Sequence, residues 1–118
     1  MTYQQAQINC QLRFGFYRLF GRLVEPMSIE IGKALVTKAK ALNVIKSGSH
    51  AVWIGYDQIG HGTGNFKYAS TGLKSPLESI SNVGGIDGAD DEDCMTLRTN
   101  FLNDEKCTKP FTSICERF

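Results

Sequence analysis

Four cysteines, Cys10, Cys94, Cys107 and Cys115, constrain this chain more than any other feature of it. They are even in number, and they sit in 118 residues that also carry twelve glycines. None stands in a C-x-x-C spacing, which weakens a thioredoxin-type or zinc-knuckle interpretation. What remains is a disulfide framework formed in an oxidising compartment, or a set of buried free thiols in a reducing one. Four cysteines permit three pairings, and spacing alone does not choose among them.

The length predicts one domain. With 42% hydrophobic and 21% charged residues, the chain is neither a disordered tail nor a collagen-like repeat. A domain of this size buries roughly two-thirds of the surface that its unfolded chain exposes. No apolar run approaches the roughly 18 residues that a membrane span needs. The formal net charge of +1 argues against nucleic-acid binding driven by overall charge. Charge is unevenly placed, however. Residues 1–50 hold seven basic residues against two acids, and residues 51–118 hold six against ten. Asp87, Asp90, Asp91, Glu92 and Asp93 crowd into seven positions, where they need open water or a cation.

Met1 to Gln7 is polar and has neither the basic nor the apolar region of an export signal. The expectation is a fragment, a piece cut from a longer secreted protein, or a chain with reduced cysteines.

Thr2 is placed to cap a first helix, with Ala6 and Cys10 four apart on one face. In residues 12–23, Phe14, Phe16, Tyr17, Leu19 and Phe20 crowd together, interrupted by Gly15 and Gly21, and read as either a short strand or an irregular loop. A second helix follows Pro26, capped by Ser28, with Glu30 where the helix dipole favours an anion. Its expected apolar stripe is Ile31, Leu35, Ala39 and Leu42, and Asn43 and Gly48 end it. Residues 51–56 read as a buried strand, Gly60, Gly62 and Gly64 as a turn, and Phe66–Tyr68 as a returning strand. Residues 69–93 form a long polar loop, of a length that usually serves function. Residues 94–98 and 111–115 read as two further strands. Two helices followed by a small, mainly antiparallel sheet is an α+β fold.

The order Trp53-Ile54-Gly55, Phe66-Lys67-Tyr68, Glu92-Asp93-Cys94, Leu102 to Cys107 and Ile114-Cys115-Glu116 resembles the C-type lectin-like domain. Cys94, Leu102, Asp104, Cys107 and Cys115 match that family's C-terminal signature. Tyr3 to Gln7 before Cys10, and Gly21 to Pro26, match its helical part. The resemblance covers nearly all of 1–118, taken as a single domain. It implies Cys10–Cys115 and Cys94–Cys107 pairing. Two departures stand out: members normally begin with a strand before the first helix, and residues 13–20 look inserted.

The resemblance further implies a calcium-assisted carbohydrate-binding module, with glycan or glycoprotein as partner and a secreted or extracellular setting. Calcium is a hard cation that takes six to eight oxygens, and neighbouring sugar hydroxyls can supply two of them. The family's site maps onto Asp87, Glu92, Asn103 and Asp104. The loop motif is degenerate here: Gly85-Ile86-Asp87 stands where the family has Glu-Pro-Asn or Gln-Pro-Asp, so one oxygen ligand and the proline are gone. A second calcium position maps onto Asp57 and Asp93, with His61 in place of an acid. A third maps onto Glu30 and Glu116, with the Val24 carbonyl. Taken from the residues alone, the acidic run is a solvated loop and Asn103-Asp104 a turn.

No nucleophile–base constellation or G-x-S-x-G elbow is present, so no enzyme is expected. The glycines at 60, 62 and 64 are not followed by a helix, which removes a phosphate-loop interpretation. The alternatives are a lectin-like domain that binds protein or another surface without calcium or sugar, and a non-functional splice or fragment product. Oligomeric state is left open.

Overall fold

Thr2 and Gln5 start the first helix together. The Thr2 hydroxyl accepts from the Gln5 amide at 3.2 Å, and Gln5 Oε1 accepts from the Thr2 amide at 3.0 Å. This reciprocal cap satisfies two donors that the first turn would leave orphaned. The computed structural model describes residues 1–13, 21–45, 51–62, 64–81 and 92–117. Helix α1 is Tyr3–Arg13. Tyr3, Ala6 and Cys10, at i, i+3 and i+7, form its buried face.

Strand β1, Gly21–Leu23, leads into helix α2, Ile29–Ala41. Residues 14–20 of the stretch expected as a short strand or an irregular loop lie outside the described residues, as do Gly48 and nearly all of the expected insertion. Ser28 caps α2, its hydroxyl accepting from the Ile31 amide at 3.1 Å. Asn43 ends it in the left-handed conformation, at φ 56°, a usual geometry just past a helix end.

The buried stripe of α2 differs from the expected one. Gly32, Val36 and Ala39 face inward, while Ile31 and Leu42 are 48% and 61% exposed. The helix is turned so that Gly32 lies on the fully buried Leu77. A β-carbon built on Gly32 would stand 2.3 Å from Leu77 Cδ2. Close approach there, rather than the largest side chains, sets which face is inside.

The remaining elements are β2, Val52–Asp57; β3, Lys67–Tyr68; a 3₁₀ turn, Pro76–Ser79; β4, Cys94–Arg98; β5, Phe101–Glu105; β6, Thr112–Ser113; and β7, Cys115–Arg117. The run 111–115 is thus two strands with a break at Ile114. Asn103-Asp104 lies within a strand, not a turn. The long polar segment contributes the 3₁₀ turn, and its residues 82–91 lie outside the described set.

The larger sheet has the order β3-β2-β4-β5, with β6 joining β2 in parallel; β1 and β7 form a two-stranded antiparallel ribbon. Every residue of β2 is buried. Between β2 and β3, Gly60, Gly62 and Gly64 all have positive φ, a conformation that favours glycine.

Two apolar clusters hold the layers. Under α2, Val36 and Ala39 meet Ile54, Tyr56, Leu77, Met95, Leu97 and Leu102. Under α1, Tyr3, Ala6, Cys10 and Leu23 surround Trp53 and Cys94. Trp53 packs edge-on against Tyr3 and Phe111, at centroid distances of 5.4 and 5.1 Å. Its indole donates to the Met1 carbonyl at 2.9 Å. Each fully buried large apolar side chain contributes roughly 1.5–3 kcal/mol.

The bridges join Cys10 to Cys115 and Cys94 to Cys107, with Cα separations of 5.3 and 5.2 Å. This is the pairing implied by the family resemblance. The first ties α1 to β7, and the second closes the segment containing β4 and β5.

Candidate functional site

Alternation along β5 sends consecutive side chains to opposite faces. Asn103 and Glu105 share one face; Asp104 takes the other and is buried. In the ladder with β4, Asn103 faces Thr96, Asp104 faces Met95 and Glu105 faces Cys94.

The Asn103 amide nitrogen donates to Glu105 Oε1 at 2.8 Å and to the Asp104 carbonyl at 3.1 Å. A carboxylate only accepts, so the amide must turn its nitrogen, not its oxygen, toward this cluster. The Glu105 side chain is 3% exposed. Such a buried charge needs partners. Oε1 also accepts from Arg98 Nη2, in a short contact, and Oε2 accepts from Lys109 Nζ at 2.8 Å. The hydrogen bond to Glu105 pushes the Lys109 ammonium above its ordinary range, Glu105's charge adds to it, and Glu92's charge contributes less. Glu92, Asn103, Glu105, Arg98 and Lys109 therefore share one electrostatic neighbourhood. Glu105, Arg98 and Lys109 were not among the residues singled out from sequence. The two-residue period from Asn103 to Glu105 was the available signal.

Asp57 and Asp93 meet at one end of the sheet, where Asp57 pairs with Cys94 across the β2–β4 ladder. Each is engaged by the protein. Asp57 Oδ2 accepts from the Tyr3 hydroxyl at 2.7 Å and Oδ1 from the Ile59 amide at 3.0 Å. Asp93 Oδ1 accepts from Gln58 Nε2 at 2.9 Å, and Gln58 Oε1 accepts from the Gly64 amide at 2.8 Å. His61 is exposed in the glycine turn.

Glu116 is held on the β1–β7 ribbon. Its Oε2 accepts from Arg22 Nε and from the Glu25 amide, both at 2.9 Å. The Val24 carbonyl accepts from the Gly55 amide at 2.9 Å. Glu30 lies exposed in the first turn of α2. The neighbouring Glu25, buried, accepts from the Ser70 hydroxyl at 2.7 Å and the Ser70 amide at 3.2 Å. Asp87 lies outside the described residues. Among the described residues, no three acids, histidines or cysteines converge in a way that could hold a metal ion.

A family model, the lectin C-type domain, matches residues 1–117. No curated protein sequence matches the chain. Among solved structures, the fold is similar to TC14, a C-type lectin from the tunicate Polyandrocarpa misakiensis. The TM-score is 0.73 at 21% identity, over 98% of this chain and 88% of that one. It is similar to the C-type lectin CEL-I from Cucumaria echinata, with a TM-score of 0.78 at 18% identity over 100% of this chain and 84% of that one. It is also similar to herring type II antifreeze protein, with a TM-score of 0.69 at 18% identity over 98% of this chain and 81% of that one.

Proposed function

Because the chain belongs to the C-type lectin domain family, we propose that it is a recognition module without catalysis, binding a protein or other surface without calcium at the β4–β5 end. The observation that carries this is the Asn103–Glu105 pair. Calcium takes oxygen ligands. Asn103 offers this cluster a donor, and Glu105 is already matched by Arg98 and Lys109. A divalent ion placed there would meet two resident cations at close range, where like charges repel. The described residues at this place do not fit calcium. The herring type II antifreeze protein supports the same view, since a similar fold there belongs to an antifreeze protein. Two disulfides fit an extracellular or secreted setting. No helix among the described residues is long and apolar enough to cross a membrane.

Isothermal titration with calcium, melts in calcium and in chelator, and a glycan array run under both conditions test this. The expected outcome is no calcium heat at millimolar levels, an unchanged melting temperature and no chelator-sensitive glycan signal. Calcium uptake with a raised melting temperature would overturn it.

A second function, calcium-assisted binding of a glycan or glycoprotein through Asp87, Glu92, Asn103 and Asp104, is favoured by one observation: Glu92 and Asn103 both reach the Glu105–Lys109 neighbourhood. In that case a calcium-dependent melting shift is present, and Asn103→Ala with Asp104→Ala abolishes it.

A further inference from the structure

Seating Gly32 on Leu77 fixes the phase of α2 and leaves Ile31 and Leu42 outside. The two stand at i and i+11, on one strip of a 3.6-residue helix, and are 48% and 61% exposed. Ala34 and Ala41, also exposed, cover the outermost face with side chains too short to hold a flat surface away. Lysines interleave with these residues. Lys38 stands between the strip and the alanines, and Lys33 and Lys40 lie on the far side of the alanines, all three exposed. Residues 31–45 contain no acid. Glu30 stands in the first turn, at the end of the helix away from Leu42. Glu78, on the 3₁₀ turn packed against α2, reaches instead to the Tyr56 hydroxyl.

An outward, convex helix face that mixes exposed apolar side chains with three lysines is complementary to an anionic lipid surface. We propose that α2 docks the domain on the headgroup region of an anionic membrane, with Ile31 and Leu42 entering the acyl boundary and Lys33, Lys38 and Lys40 meeting lipid phosphates and carboxylates. The apolar stem of a lysine lets its ammonium stay among the headgroups while the side chains beside it sink. Each lysine near such a surface strengthens binding about fivefold. The apolar area is small, so the contact is peripheral and reversible, and it depends on salt. A second copy seated on this face would set lysines against lysines. An acidic polymer would meet the lysines but leave Ile31 and Leu42 in water. None of these residues belongs to the Asn103–Glu105 cluster, so failure here and failure of the calcium-free reading are distinguishable.

The full chain is sedimented in chelator with vesicles of phosphatidylcholine alone and of phosphatidylcholine mixed with phosphatidylserine. Binding is expected to the mixed vesicles only, and about 1 M salt, where the Debye length is about 3 Å, should release it. Lys38→Gln with Lys40→Gln should weaken binding roughly thirtyfold. Ile31→Gln with Leu42→Gln, which keeps every lysine, should weaken it about tenfold. Leu42→Trp should shift its emission to the blue on mixed vesicles, whereas Ile8→Trp, on the exposed face of α1, should not. All the substituted positions are exposed, and unchanged melts in buffer confirm that the variants fold. Absence of binding at about 1 mM accessible lipid overturns the proposal. So does equal binding to phosphatidylcholine alone, or a blue shift at position 8 in place of position 42. Equal affinity for a soluble polyglutamate peptide also overturns it and assigns the face to an acidic protein instead.

Discussion

The hydroxyl of Tyr3 donates to Oδ2 of Asp57 at 2.7 Å, joining the first turn of α1 to the end of β2 across 54 residues of sequence. Both groups are buried. Tyr3→Phe keeps the ring packed on Trp53 and removes only the donor to a charged acceptor. A loss of about 1.5–3 kcal/mol is expected in urea unfolding. Asp57→Asn, which keeps an acceptor, should cost less.

Glu105 has three donors around it, and the cost of removing it should exceed that of removing any one. Glu105→Ala strands Arg98 and frees Asn103, for an expected loss of about 3–5 kcal/mol. Lys109 is half exposed, so Lys109→Ala should cost about 1 kcal/mol or less. Equal losses in the two variants would show that the buried carboxylate is not the centre of this network.

Gly32→Ala should destabilise α2 although alanine is the better helix former. The propensity gain is about 1 kcal/mol. Overpacking against Leu77 costs about 1–3 kcal/mol, because Leu77 is fully buried and has little room to yield. Combining Gly32→Ala with Leu77→Ala should show a favourable coupling between the two positions in a double-mutant cycle.

The two bridges should differ in worth. Chain-entropy estimates give about 3 kcal/mol for the short Cys94–Cys107 loop and about 4–5 kcal/mol for Cys10–Cys115. Paired serine variants, compared by denaturant unfolding, should reproduce that order. A non-reduced peptide map should recover the same two pairs.

Alkaline pH should unfold the chain through its tyrosines. Burial pushes the Tyr68 phenol up to about 12. Burial pushes Tyr3 and Tyr56 higher still, with Asp57 adding to the effect on Tyr3. Unfolded phenols ionise near pH 10. Below that pH the stability from these groups is fully present. As pH rises toward the folded values, the native state keeps protons that the unfolded chain has lost, and stability falls by up to about 1.4 kcal/mol per pH unit for each tyrosine. Melts between pH 8 and 12 should decline with the rise of phenolate absorbance. Ionisation of all tyrosines at pH 10 in a chain that stays folded would contradict this.

Much of the architecture was legible because its signals are local or spaced by covalent logic. Thr2 and Ser28 cap the helices they precede, the buried run 52–57 is a strand, and the cysteine order carried the family's pairing. The phase of α2 was not legible. It depends on Leu77, more than forty residues away, fitting where Gly32 has no side chain. Strand β5 was hidden because Asn103, Asp104 and Glu105 are poor strand formers, and only pairing with β4 holds them extended. The candidate site was half legible. Asn103 and Glu92 could be named from sequence, but the cations beside them come from Arg98 across a hairpin and Lys109 beyond a disulfide. Asp87 lies outside the described residues.

The Cys10–Cys115 bridge also decides how the domain bears load. Tension entering through α1 and leaving through β7 passes from one to the other along sulfur atoms, bypassing the chain between two residues 105 apart in sequence. Pulled from those points, the domain is an inextensible link: the sheet neither shears nor lengthens until that covalent shortcut is reduced.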